Sequence, residues 1–272
     1  MTDSKPVGVA LLGYGTVGEA VYRLLVENRH HFVQRIGGDI EVRGVAVNDA
    51  SKPRDGVPAE LLTDDAVGLV ERDDVDIVVE VIGGIDYPRE IVLKALQAGK
   101  SVVTANKALV AAHSAELAAA ADEAGVDLYY EAAVAAAIPV LGPLRRSLAG
   151  DQVKSVMGIV NGTTNFILDA MESTGASYDE MLAEAMRLGY AEADPTFDVG
   201  GFDAAHKLLI LASIAYGVHG NPEDILIEGI EGITPEDIFF ANDFEYVIKL
   251  LAIAKKTGDK VELRVHPALV PK

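Results

Sequence analysis

Two periods of apolar residues alternate along the first 130 positions. Short apolar runs at residues 7–12, 42–47, 77–81, 101–104 and 126–130 read as strands. Between them, residues 16–26, 89–98 and 114–124 place apolar side chains three and four apart, the helical spacing. Apolar strands separated by amphipathic helices predict a parallel sheet covered on both faces. The pattern changes after residue 132. Pro139 and the Gly142-Pro143 pair interrupt an alanine-rich stretch, then a strand at 153–160 and helices at 164–172 and 177–188 are expected. A helix starting near Phe202 carries Leu208, Leu209, Ile210, Leu211, Ala212, Ile214 and Ala215, apolar nearly all round, and should be buried. A last helix at 244–256 and a strand at 260–265 close the prediction. The simplest division is a domain at residues 1–132 and a second at 133–272.

The composition narrows the function. Half of the 272 residues are hydrophobic, enough for a sizeable core, and 42 acidic against 23 basic residues give a net charge of −19. Such an excess repels polyphosphate chains and anionic bilayers, so neither a nucleic acid nor a membrane is an expected partner. Cysteine is absent, which removes disulfides, thiolate nucleophiles and thiolate metal sites and suits a cytoplasmic protein. The first residues lack a signal-peptide core, and no apolar run nears the length of about 18 residues that a span requires.

Gly13-Tyr14-Gly15-Thr16-Val17-Gly18 joins the first strand to the first helix, the context in which this glycine spacing binds a dinucleotide. Gly13 permits the turn, Gly15 admits a pyrophosphate, Gly18 allows close packing, and the amides of Thr16 and Val17 begin the helix. The first domain is therefore read as Rossmann-type. Around Asn48, where the cofactor ribose should lie, Asp49 would accept bonds from a free 2′-hydroxyl of NAD, whereas Lys52 or Arg54 would hold the 2′-phosphate of NADP. Ile82 and Gly83, after the third apolar run, and Lys107, after the fourth, stand at the sheet edge where a nicotinamide would end.

Residues 189–207 crowd Glu192, Asp194, Asp198, Asp203 and Lys207 around Pro195 and the Gly200-Gly201 pair. Asp203 and Lys207 are four apart, on one face of a helix otherwise apolar, and a charged pair on a buried helix needs a reason. In residues 130–139, Glu131 and the carbonyls of Val134, Ala136 and Ile138 could cage a hard cation, although a plain domain junction is the simpler chemistry. The turn Asn161-Gly162-Thr163-Thr164-Asn165 reads as a helix cap. The six histidines show no metal-ligand spacing, and no serine-hydrolase elbow occurs.

In order and spacing, residues 13–18, 104–107, 131–139, 161–165 and above all 189–207 resemble the homoserine dehydrogenases, over nearly the whole chain. The resemblance implies an NAD(P)-dependent oxidoreductase interconverting L-aspartate 4-semialdehyde and L-homoserine, on the route to threonine, methionine and isoleucine. It implies a Rossmann-type domain followed by an α+β domain that binds substrate and pairs subunits into a homodimer or higher oligomer. Lys207 then matches the acid-base lysine and Asp203 the carboxylate beside it; Gly189, Glu192 and Asp194 fall among the substrate-binding positions, and Lys107 at the nicotinamide end. Glu131, Val134, Ala136 and Ile138 match positions that hold a monovalent cation, usually sodium.

Two departures accompany the resemblance. Ala136 and Ala137 replace glycines common in the family, which would reshape the cation loop. Family members also continue beyond the point matching Lys272, so a minimal or shortened form, or a sheet edge covered by a partner, is expected. The rivals are another dehydrogenase of the same architecture and a non-catalytic dinucleotide sensor. The lack of cysteine argues against an aspartate-semialdehyde dehydrogenase, which needs a thiol, and a sensor has no need of Asp203 and Lys207.

Overall fold

A computed structural model describes residues 5–135, 137–218 and 220–272 and divides into two compact units, Met1–Ala133 and Val134–Lys272. The first runs β1 (Val7–Leu12), α1 (Thr16–Glu27), α2 (Arg29–Ile36), β2 (Ile40–Ala46), β3 (Leu62–Thr63), α3 (Ala66–Val70), β4 (Ile77–Glu80), α4 (Asp86–Gln97), β5 (Ser101–Thr104), α5 (Lys107–Ala124) and β6 (Leu128–Tyr129). All strand pairs are parallel, in the order β3-β2-β1-β4-β5-β6. This is the doubly wound order in which ligands bind outside the carboxyl ends of the strands. Successive residues of β1 serve opposite faces. Ala10 and Leu12 pack with Val78, Ile91, Leu96, Val102 and Leu109, whereas Leu11 packs with Tyr22 and Val45. An uninterrupted apolar run is what a strand buried on both faces requires.

The second unit continues with β7 (Ser155–Gly158), α6 (Gly162–Thr174), α7 (Tyr178–Leu188), α8 (Thr196–Val199), α9 (Phe202–Tyr216), β8 (Leu226–Ile227), α10 (Pro235–Asp243), β9 (Tyr246–Thr257) and β10 (Lys260–Pro271). Its mixed sheet has the order β7-β9-β10-β8, with β8 and β10 parallel and the other pairs antiparallel. Ile167, Leu168 and Met171 of α6, Leu208, Leu209 and Ala212 of α9 and Ile238 of α10 pack against Leu250, Ala252, Ala254 and Val265 of the sheet. The helix starting at Phe202 is thus as buried as its composition demands.

One element contradicts the sequence pattern. Residues 246–257 form the long strand β9, not a helix, and β10 extends six residues past 265 to pair with it from Lys260↔Thr257 to Pro271↔Tyr246. Leu-Leu-Ala-Ile-Ala-Lys-Lys is permissive to helix, but Gly258 (φ 61°) and Asp259 form a two-residue hairpin turn that sets the register. Leu250, Ala252 and Ala254, alternate positions, then face the helices. Helix α5 starts at Lys107 rather than 114, with a kink at His113 (φ −132°) just before the expected start. The helices α2 and α10 were not anticipated. The start of α10 does carry a capping box, Thr234 with Asp237, and Pro235 at its first position.

Candidate active site

In the second unit the turn between β7 and α6 gathers Asp198, Asp203 and Lys207 of the segment 189–207. Asn161 caps α6, its Oδ1 accepting from the backbone N–H of Thr164 at 2.9 Å and from the Thr164 hydroxyl at 3.0 Å. From the other end of the same amide, Nδ2 donates to Asp198 Oδ1 at 2.8 Å and Asp203 Oδ2 at 2.9 Å. Lys207 Nζ donates to Asp203 Oδ2 and to the carbonyl of Val160, both at 2.7 Å. Asp203 is 1% exposed, a buried carboxylate that a cation and an amide both serve. Burial pushes the Lys207 ammonium below the ordinary lysine range, opposed by the charge of Asp198.

Backbone geometry brings these residues together. Gly201 enters α9 at φ +85°, and a Cβ there would lie 3.2 Å from Ile227 and Val265, so the helix begins hard against the sheet. Gly189 ends α7 in the left-handed region, turning the chain into the acidic loop, and the Thr163 hydroxyl holds that loop by donating to the carbonyl of Tyr190 at 2.7 Å. Glu192 and Asp194 are exposed. The Thr196 side chain first, and then its backbone N–H, which donates to Asp194 Oδ1 at 3.2 Å, hold the Asp194 carboxyl below the usual range.

The helix pair Asp203 and Lys207 and the nearby Asp198 were legible in sequence; the bonds that Asn161 makes to Asp198 and Asp203 were not. They span 37 and 42 residues, and no local pattern reports them. What read as a simple helix cap is the centre of the group.

In the first unit, Gly13 turns at φ +99°, and a Cβ on Gly18 would lie 2.2 Å from the carbonyl oxygen of Gly13. A Cβ on Gly15 would meet nothing within 4 Å, and α1 begins there without a side-chain cap. Open space over uncapped N–H groups is a cradle for a pyrophosphate. Beside it lies a cavity of about 440 Å³ lined by Gly13, Gly15, Asn48, Arg54 and Ile82 among others. Thr16 and Val17 are exposed at the start of α1, Gly83 turns at φ +85° with open space around it, and Lys107 opens α5. Glu131 opens a short helical turn, Val134 is buried and Ile138 exposed, while Ala136 lies outside the described residues. No cluster of three or more metal-binding His, Asp or Glu side chains occurs among the described residues.

The homoserine dehydrogenase family model matches residues 139–272, and the model for the NAD-binding domain of homoserine dehydrogenase matches residues 13–131. The chain belongs to the homoserine dehydrogenase family. The homoserine dehydrogenase of Corynebacterium glutamicum is 66% identical over 270 residues, covering 97% of this chain and 61% of that protein. A crystal structure of a homoserine dehydrogenase from Thiobacillus denitrificans matches 98% of this chain and 62% of its own at 47% identity, with a TM-score of 0.92. A hyperthermophilic archaeal homoserine dehydrogenase in complex with NADPH matches 98% of this chain and 83% of its own at 28% identity, with a TM-score of 0.79. The chain thus spans about three fifths of the length of the curated homoserine dehydrogenases it matches. The matched models cover both units, the glycine loop and the residues 189–207 included. No helix among the described residues is long and apolar enough to cross a membrane.

Proposed function

We propose that this chain interconverts L-homoserine and L-aspartate 4-semialdehyde with NAD or NADP, on the route to threonine, methionine and isoleucine. The observation that carries the reading is the buried Asp203-Lys207 pair, held by Asn161 and the Val160 carbonyl. A bound nicotinamide supplies or receives the hydride. Negative charge left on the aldehyde oxygen would be stabilised and protonated by Lys207, whose lowered pKa lets the same amine act as base in the oxidation direction. Asp203 orients the ammonium. Glu192 and Asp194, in the loop that follows Gly189, would take the substrate's amino group.

For the cofactor, the helix amides after Gly15 would hold the pyrophosphate, Asn48 would lie by the ribose, and Ile82, Gly83 and Lys107 would stand at the nicotinamide end. Asp49 is already bonded to the Ser51 hydroxyl and to Lys52 at 3.0 Å, while Arg54 lines the cavity. This supports use of NADP over strict NAD dependence. Following the resemblance, Glu131, Val134, Ala136 and Ile138 would supply oxygen donors to sodium. Subunit pairing through the second unit and a cytoplasmic setting belong to the same proposal.

The direct test is reduction of NAD⁺ or NADP⁺ dependent on added homoserine, followed by the absorbance of the reduced nicotinamide. A signal with at least one cofactor is expected. None from either overturns the reading.

A further inference from the structure

Glu80, the last residue of β4, is 0% exposed and has no part in the chemistry described so far. Its two oxygens serve different segments. Oε1 accepts from the backbone N–H of Ile82 at 2.8 Å, and Oε2 accepts from the Thr104 hydroxyl at 2.5 Å. The Thr104 oxygen in turn accepts from the N–H of Asn106 at 3.0 Å, and Asn106 Nδ2 donates to the carbonyl of Gly84 at 2.7 Å. The bonds close a ring from the end of β4 through residues 82–84, across to Asn106 and back through Thr104. Asn106 also caps α5 through Leu109 at 3.1 Å, so the start of the helix that carries Lys107 belongs to the ring.

A carboxylate is a pure acceptor with two oxygens, and here one receives a hydrogen from the loop after β4 and the other from the last residue of β5. An apolar residue would end the strand as well, so the buried carboxyl is explained by what it holds. What it holds is a turn of glycine backbone. Gly83 and Gly84 both turn at positive φ, +85° and +80°, and a Cβ on either would meet nothing within 4 Å. Groups that fix a binding loop from beneath set its geometry without touching the ligand.

We propose that Glu80 is the positioning residue that sets the two loops at the nicotinamide end of the dinucleotide, an inference that rests on the dinucleotide reading above. Glu80→Gln turns one acceptor into a donor and breaks the ring on one side. Thr104→Val removes the hydroxyl and keeps the shape, whereas Thr104→Ser keeps the hydroxyl.

The test is calorimetric titration with whichever of NADH and NADPH the parent chain binds more tightly, and with the ADP-ribose counterpart that lacks nicotinamide. Glu80→Gln and Thr104→Val should weaken the reduced dinucleotide roughly tenfold, as for one lost buried hydrogen bond, and leave the nicotinamide-free ligand within about twofold. Thr104→Ser should restore the parent affinity. Equal losses for both ligands, or no loss for either, overturn the inference; if Glu80→Gln does not fold, the Thr104 pair alone decides. A parent chain that binds neither ligand overturns the dinucleotide reading itself.

Discussion

The single oxygen Oδ2 of Asp203 receives hydrogens from both Lys207, at 2.7 Å, and Asn161, at 2.9 Å. A carboxylate oxygen with two donors is fixed in direction, and it fixes the ammonium in turn. Replacing Lys207 by Ala removes the proton donor, and turnover of homoserine should fall about 10²- to 10⁴-fold. Dinucleotide affinity, measured by titration, should not change, because the glycine loop lies in the other unit.

Asp203→Asn gives a signed pH effect. Burial already lowers the Lys207 pKa and the charge of Asp198 opposes that. Asp203 is a second anion, bonded to the ammonium at 2.7 Å, so deleting its charge should lower the pKa further. The rising limb of kcat/KM for homoserine oxidation, plotted against pH, should therefore move to lower pH in the variant. A limb that moves upward or stays in place would contradict the base role of Lys207.

Gly15 and Gly18 should respond differently to the same methyl group. Alanine at position 15 meets open space, so the melting temperature should hold while affinity for the dinucleotide falls. Alanine at position 18 would overlap a backbone oxygen of Gly13 at 2.2 Å, so it should lower both. Thermal melts with and without cofactor separate the two outcomes.

Arg54 lines the cavity beside Asn48, and its loss should discriminate between cofactors. Arg54→Ala should raise KM for NADP(H) about ten- to a hundredfold, as for a lost charged hydrogen bond, and leave KM for NAD(H) nearly unchanged. Equal effects on both cofactors would remove Arg54 from the 2′-phosphate.

Leu208, fully buried beside Lys207, tests the packing under the site. Leu208→Ala should cost about 2–5 kcal/mol in chemical denaturation, from lost burial and the cavity left behind. Because α9 carries both Leu208 and Lys207, the variant should also lose activity at temperatures where it remains folded.

The features readable from sequence were those whose physics is local. The glycine loop sits between a strand and a helix within a few residues, and the Asp203-Lys207 spacing is a property of one helix. The strand β9 was misread because its residues suit either period, and the deciding facts lie in Gly258-Asp259 and in the partner strand. Asn161 and Glu80 escaped for a related reason. Each acts through partners 24 to 42 residues away, and those contacts exist only once the sheets have formed.

Asn161 has two jobs performed by opposite ends of one amide, the start of α6 and the setting of Asp203. Both ends of that amide are shielded from water, with Asn161 6% and Thr164 0% exposed. The first turn of α6 and the direction of Asp203 therefore depend on one buried side chain. Whatever loosens this amide unfastens the reaction along with the helix, so fold and chemistry share a single clasp.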